Sequence, residues 1–290
     1  MSTTAAAARA AAPEQSSVMA RASGENFPVA SALLPRVYRR HLLAIYGYAR
    51  LVDEIGDRPD GGGAAERLAE LDWAEAEIDR ALVGEADHPV FVAAGETARA
   101  IGVGREPFVD LIEANRLDQR RSRYPDFAAL EGYCQKSANP VGRLVLAVFG
   151  ATSPAAVRHS DAVCTALQLV EHFQDVAEDY AAGRVYLPAE DLAAFAVTEE
   201  SLAGPATPAL RRLLAFEVGR ARALLDGGLP LLGLLPPFGR LAVAGFCGGG
   251  LAQLDALEAA GYDVFGAPVK ATKWAVLGRS ARLLALRGAR

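Results

Sequence analysis

Residues 153–188 read SPAAVRHSDAVCTALQLVEHFQDVAEDYAAGRVYLP. Up to Ala182 the segment carries helical apolar periodicity, and Gly183 supplies a stop. It is the longest of a series. PRVYRRHLLAIYGYARLVDEIGD, from Pro35 to Asp57, sets Leu42, Ile45, Tyr46, Ala49 and Val52 at helical spacing. AAERLAELDWAEAEIDRAL is amphipathic, with Leu68, Leu71, Ile78 and Leu82 on its apolar side. REPFVDLIEANRLDQ, PALRRLLAFEVGRARALLDGG, RLAVAGFCGGGLAQLDALEAAGY and KWAVLGRSARLLALR read the same way. YCQKSANPVGRLVLAVFG reads as two helical pieces interrupted at Asn139-Pro140. Sustained period-2 alternation is absent. The expectation is an all-α protein, with a disordered Ala-rich lead over residues 1–24 and one helical domain over 25–290. No linker or fixed-period repeat divides the body.

The composition supports a large core: 51% of residues are hydrophobic and 22% charged, which excludes a disordered chain. A net charge of -5 gives no reason to expect nucleic acid as a partner. Cys134, Cys164 and Cys247 are odd in number and lack metal-ligand spacing. That suits buried thiols in a reducing cytoplasm. The lead lacks the bulky apolar core of a secretory signal. GGLPLLGLLPPFGRLAVAGFCGGGLAQL is the most apolar region, but Arg240 splits it into uncharged runs of 13 and 14 residues. A membrane span takes about 20. With Pro230, Pro236 and Pro237 inside it, the region reads as buried helices joined by a turn. Its GGG, from Gly248, permits close helix packing or lines a cavity.

Two acidic motifs stand out. RLVDEIGD sets Asp53 and Asp57 four residues apart, with Glu54 beside them; DVAED sets Asp175 and Asp179 at the same separation, with Glu178 between. On a helix such residues share a face, about 6 Å apart along the axis. Like charges there cost roughly 0.2–0.5 kcal/mol. A metal ion or a neighbouring cation would offset that cost, and so would simple solvation of an acidic face. Oxygen ligands without Cys or His favour a hard ion such as Mg²⁺. Each motif ends an apolar helix, so two such helices facing each other would enclose a metal–diphosphate site beside an apolar cavity.

With both motifs in place, the sequence resembles the squalene/phytoene synthase family over nearly the whole chain after the lead. The resemblance rests on LLP…R.HLLAIYGYARLVDEIGD, on YCQKSANPVGRL and on LQLVEHFQDVAEDYAAGRVYLP. ENFPVASALLP, SANPVGRLVL and HFQDVAEDY are most similar to the bacterial hopanoid-pathway branch HpnC. The resemblance implies an isoprenoid-synthase-type helical bundle around a central apolar cavity, with more than one Mg²⁺ and a prenyl diphosphate substrate. For that branch it implies conversion of presqualene diphosphate to hydroxysqualene, alongside neighbouring enzymes of squalene biosynthesis. It assigns Asp53, Asp57, Asp175 and Asp179 to metal, with Glu54 and Glu178 behind them. Tyr46, Arg50 and Tyr133 fall at catalytic positions. Ala138, Gly142, Gln168, Glu171, Arg184, Tyr186 and Tyr262 fall at substrate-binding positions.

The chain departs from the wider family at Glu171, where many members have Asn, and at Gln174, where Arg is common. The polar and basic stretch ahead of LLP reads GENFP. Fewer cations near the second motif suit a member that takes one large diphosphate. GVGREP lacks the third glycine of a dinucleotide fingerprint and follows no strand, so no NADPH site is evident. That favours capture of a carbocation by water over its reduction. Head-to-head condensation of two prenyl diphosphates is the nearest rival; a non-catalytic lipid-binding scaffold and a terpene cyclase are further ones. Outside the family reading, Tyr46 and Tyr133 are core aromatics, Arg50 pairs with Asp53 or Glu54, and Arg184 caps a helix. His41 and His172 adjoin the motifs and read as structural or supporting. After Asp263 the chain holds six basic residues, from Lys270 to Arg290, and no acid. A transient contact with an anionic membrane surface and a solvated helix face account for this equally well, and Lys270 or Lys273 reaching a diphosphate is a third reading. The expected location is cytoplasmic, with peripheral contact at the inner face of the membrane.

Overall fold

The computed structural model describes residues 33–57, 63–266 and 268–287. The Ala-rich lead, GENFP, most of the DRPDGGG loop and Arg290 lie outside the described residues. Among those described there is no strand. The helices are α1 (Arg36–Gly56), α2 (Ala64–Leu82), α3 (Pro89–Ile101), α4 (Glu106–Asp118), α5 (Phe127–Ser137), α6 (Asn139–Val148), α7 (Pro154–Gln174) and α8 (Val176–Ala181). They continue as α9 (Ala189–Ala194), α10 (Pro208–Gly228), α11 (Pro237–Ala259) and α12 (Lys273–Arg287). Contacts group the chain into two compact units, one formed by the residues up to Arg120 with Pro140–Thr152, the other by Arg121–Asn139 with Ser153–Arg290.

The first unit is organised by Tyr48 of α1, which is fully buried. Its ring meets Phe91 and Phe108 edge to face, with centroids 5.6 and 5.1 Å apart, and its hydroxyl donates to the Phe108 carbonyl at 2.9 Å. Leu51, Val52 and Ile55 extend the buried stripe, while Tyr46 and Ala49, expected at its centre, are only half-buried. The stripe is therefore rotated toward Tyr48, which frees the Tyr46 side of the helix. Gly95 lets α3 approach α2 closely, since a Cβ there would lie 2.2 Å from the Ala81 carbonyl oxygen.

The second unit packs α7 against α10 and α11 with glycines at the crossings. A Cβ on Gly228 would meet Val163 at 2.5 Å, and one on Gly250 would meet Leu167 at 2.4 Å. Gly248 admits the backbone of Ser280 on α12, whereas Gly249 faces open space. Two of the three glycines thus serve close packing. The apolar region resolves into the end of α10, a 3₁₀ turn over Leu229–Gly233 and α11. No helix among the described residues is long and apolar enough to cross a membrane. Burial pushes the Cys134 and Cys247 thiols up to about 12, so both behave as packing groups.

Two helix boundaries differ from expectation. The long segment does not run unbroken to Gly183: α7 ends at Gln174, and Asp175 adopts φ -100 and ψ 16 before α8 begins. Its amide still donates to Glu171 O at 3.0 Å and its carbonyl accepts from Asp179 N at 2.7 Å, so the ladder bends without opening. The break in YCQKSANPVG falls at Ala138, with φ -117, one residue before the Asn-Pro pair. A residue preceding the turn into a new helix absorbs the change of direction, while Pro140 sits where a missing N–H is harmless.

Behind α10 lies a buried charge cluster. Arg220 donates to Asp191 and to both Glu217 oxygens at 2.8–3.1 Å, and its guanidinium lies 4.2 Å from the Phe127 ring and 4.7 Å from Phe216. Glu217 is fully buried. Burial, opposed by Arg220 and aided by Asp191, pushes its carboxyl up to about 8. The unfolded chain ionises this group near its ordinary value of 4.5, while the native state holds the proton to about 8. Stability therefore falls as pH rises between those limits, on the order of a few kcal/mol in all. Thermal melts of Glu217→Gln between about pH 5 and 8 should show a flatter pH dependence than the unsubstituted protein.

Candidate active site

The first acidic motif closes α1. Tyr46, Arg50, Asp53 and Asp57 follow one another at intervals of four, three and four, which places all of them on one helix face. Asp57 is the C-cap, its amide donating to Asp53 O at 2.8 Å. A helix C-terminus carries partial negative charge, so two carboxylates there are disfavoured by the backbone as well as by each other. Arg50 Nε donates to Glu54 at 3.3 Å, which realises the simple ion-pair reading of that arginine. The pairing leaves Asp53 with little cation of its own. Solvent reaches Asp53, yet protein crowds it: desolvation, reinforced by Asp57 and Asp118 and opposed by Asn115 and Arg50, raises its carboxyl to about 6.

Asn115 was not foreseen from the sequence. Its side-chain amide donates to Asp53 at 3.1 Å and to Leu111 O at 3.1 Å. It can lie there because residue 56 is glycine; a Cβ at Gly56 would fall 1.9 Å from Asn115 Oδ1. Gln119 secures the same corner by donating to Gly56 O at 3.0 Å and Asn115 O at 3.2 Å, and Arg67 donates to Gln119 at 2.6 Å. The available signal was the glycine inside DEIGD and the Asn-x-x-x-Gln spacing of ANRLDQ. Neither announces a partner without the fold.

The second motif repeats the spacing of the first. Gln168, His172, Asp175 and Asp179 again follow at four, three and four, with His172 at the place Arg50 holds on α1. The His172 ring is 3.9 Å from Asp179 and 3.3 Å from Gln168, and it is buried. Tyr186 stacks on it at 3.8 Å, and Tyr133 and Tyr124 complete a cluster with centroid separations of 5.5–5.7 Å. His172 therefore stands beside Asp179, consistent with a supporting role. His41 is structural: it shares a 3.0 Å hydrogen bond with Thr97, and burial followed by Arg40 lowers its pKa.

RVYLP is placed by backbone bonds. Gly183, at φ 82, takes the left-handed step after α8; Gly183 N donates to Tyr180 O and Arg184 N to Asp179 O, the paired bonds of a Schellman cap. That cap, not the Arg184 side chain, ends the helix. Beyond it Val185 N donates to Ser122 O and Ala189 N to Tyr124 O, which pins RVYLP along SRYP. Arg184 comes within 3.9 Å of Asp179 and, with His172, Tyr186 and Leu202, lines a small recess. Tyr124 is a second residue the sequence did not single out; a Tyr-Pro in a loop gives no hint of burial.

Asp175 is reached by solvent, and its carboxyl is raised by desolvation, then by Asp179 and Glu178, and lowered by His172 and Lys270. Lys270 is brought close because Gln174 and Gln253 both donate to Val269 O, at 3.2 and 2.7 Å. Gln174 thus supplies no charge itself but anchors the segment that does. Lys273 is exposed at the start of α12. Glu171 and Glu178 are exposed. Ala138 is half-buried at the α5–α6 corner, which the Asn139–Thr165 bond of 3.0 Å ties to α7, and Gly142 is buried in α6. Tyr262 sits at a strained φ of 58 after α11, half-buried, and its side chain makes no hydrogen bond or ring contact among the described residues. Nor, among those residues, do three or more acids, histidines or cysteines converge on one point. Each motif instead offers two carboxylates. That is the donor set Mg²⁺ uses when phosphate oxygens and water complete its shell.

An all-helical protein with repeated D-x-x-x-D stripes at helix ends and an aromatic cluster beside one of them has the layout of a prenyl-diphosphate-type synthase. The chain belongs to the squalene/phytoene synthase family, whose model matches residues 20–275. It is 37% identical over 210 residues to a hydroxysqualene synthase of Rhodopseudomonas palustris, covering 71% of this chain and 70% of that protein. It is 33% identical over 212 residues to a phytoene synthase of Arthrospira platensis, covering 68% of each. Among solved structures, squalene synthase HpnC from Alicyclobacillus acidocaldarius superposes with a TM-score of 0.77 at 42% identity, over 86% of this chain and 94% of that one.

The Asn115–Gly56 fit makes a sharp prediction. Gly56→Ala displaces Asn115, so it should raise the Mg²⁺ concentration needed for half-maximal turnover about 10–100-fold, as should Asn115→Ala. Combined, the two should be no worse than either alone, because the clash needs the longer side chain. Additive effects in Mg²⁺ titrations of diphosphate release would separate the two residues.

Proposed function

We propose that the protein converts presqualene diphosphate to hydroxysqualene and diphosphate, using Mg²⁺. The observation that carries this reading is the pair of matching stripes, each with two carboxylates four residues apart and solvent-reached at Asp53 and Asp175. Asp53 with Asp57, and Asp175 with Asp179, would hold the metal; bound there, Mg²⁺ supplies positive charge to diphosphate oxygens. Arg50, already steered by Glu54, donates charge-assisted hydrogen bonds to the leaving group, and Lys270 and Arg184 do the same beside the second motif. The carbon–oxygen bond breaks with its electron pair leaving on diphosphate. Tyr46, beside the first motif, and the Tyr133–Tyr186–Tyr124 cluster, beside the second, are each suited to offer a ring face to a carbocation. Water then adds its oxygen to that cation and loses a proton, giving the alcohol without a reductant. Ala138 and Gly142 leave room for the prenyl chain, while Gln168 holds His172 and Tyr262 closes the end of α11.

Support for this reading over condensation comes from the hydroxysqualene synthase and HpnC relatives at 37% and 42% identity. The phytoene synthase relative at 33% keeps condensation as the second reading. Purified protein with presqualene diphosphate and Mg²⁺, without NADPH, should yield hydroxysqualene by mass spectrometry. Product from farnesyl or geranylgeranyl diphosphate alone would establish condensation instead. Asp53→Asn and Asp175→Asn should each lower turnover by at least about a hundredfold, with circular dichroism unchanged.

A further inference from the structure

Beyond Lys270 the basic C-terminal stretch is not used by the reaction, and its helix has an unusual outer face. α12 lies along α11: Gly248 admits Ser280, Arg279 donates to Asp255 at 2.8 Å, and Leu283 is buried. A surface helix ordinarily turns polar residues away from its packed side. Here Trp274, Leu277, Gly278, Ala281 and Ala285 are all exposed. They recur at intervals of three, four, seven and eleven from Trp274, so they form one continuous apolar stripe. Trp274 is 81% exposed and Leu277 is 54% exposed. Helical geometry sets Lys273 on one edge of that stripe and Arg282 on the other, both exposed, with Lys270 just ahead of the helix.

We propose that α12 docks on the surface of a lipid bilayer containing anionic headgroups. Trp274 and Leu277 enter the boundary between headgroups and acyl chains, and Lys273 and Arg282 meet lipid phosphates along the two edges. Charge selects this occupant. The chain as a whole carries -5, yet everything after Asp263 carries six cations and no acid. The stripe also suits a fluid surface better than a protein: beyond two large side chains it consists of glycine and alanine, with little to fill a partner's pockets. The helix lies on the membrane and does not span it, since no helix among the described residues is long and apolar enough to cross.

Co-sedimentation of the full chain with vesicles tests this. The protein should pellet with phosphatidylglycerol-containing vesicles and release at high salt. Trp274→Ser with Leu277→Ser should weaken binding more than tenfold. Lys273→Gln with Arg282→Gln should weaken it by roughly fivefold for each charge removed, and only where anionic lipid is present. Turnover of detergent-dispersed substrate should be unchanged in both variants. Brominated lipid should quench tryptophan emission of the unsubstituted protein, a readout that needs no variant. Failure to pellet with anionic vesicles, or absence of quenching, overturns the proposal. So does a Trp274-dependent dimer in solution, which would make a second copy the occupant. These outcomes are independent of which diphosphate the enzyme uses.

Discussion

Carboxylates held at the C-terminal end of an apolar helix are opposed three times over: by the backbone dipole, by one another and by loss of water. Asp53 near the end of α1 and Asp175 at the end of α7 bear that opposition. Desolvation by the crowding protein draws Asp53 up to about 6 although Arg50 stands one turn away. A fold that sought only stability would not place acids there. The surrounding structure instead spends hydrogen bonds on keeping them in position. Asn115 fits against Gly56 to hold Asp53, Gln119 secures the Gly56 carbonyl, and Gln168 and His172 stand behind Asp179.

The same logic runs through the strap that follows α8. The Schellman cap at Gly183 turns the chain, backbone bonds to Ser122 and Tyr124 straighten it, and Tyr186 is left stacked on His172. The imidazole is thereby fixed from two sides. Lys270 arrives by a comparable device, since Val269 O is clamped by two glutamine amides. Gln174 acts as an anchor, and positive charge beside the second motif comes from Lys270.

Periodicity reads long amphipathic helices well, and α1, α2, α4, α7 and α10 follow it. The acid pairs were equally legible, because fixed spacing on a helix fixes a face. Tyr48 was less so: a tyrosine in a run of tyrosines gives no sign that it, and not Tyr46, turns inward. The bend at Asp175 was invisible because no glycine or proline marks it and the hydrogen-bond ladder survives. Ala138 likewise breaks a helix that composition alone places one residue later. Asn115, Gln119 and Tyr124 act through partners more than fifty residues away in sequence, which no local pattern encodes.

The central claim is that both acid pairs bind a divalent cation together with diphosphate. Thermal melts with Mg²⁺ and inorganic diphosphate address it without any turnover. The unsubstituted protein should melt at higher temperature with both present than with either alone. Asp53→Asn and Asp175→Asn should each lose that gain, yet melt at or above the unsubstituted temperature when neither ligand is added. A gain that survives both substitutions, or substituted proteins that are markedly less stable without ligand, would contradict the claim.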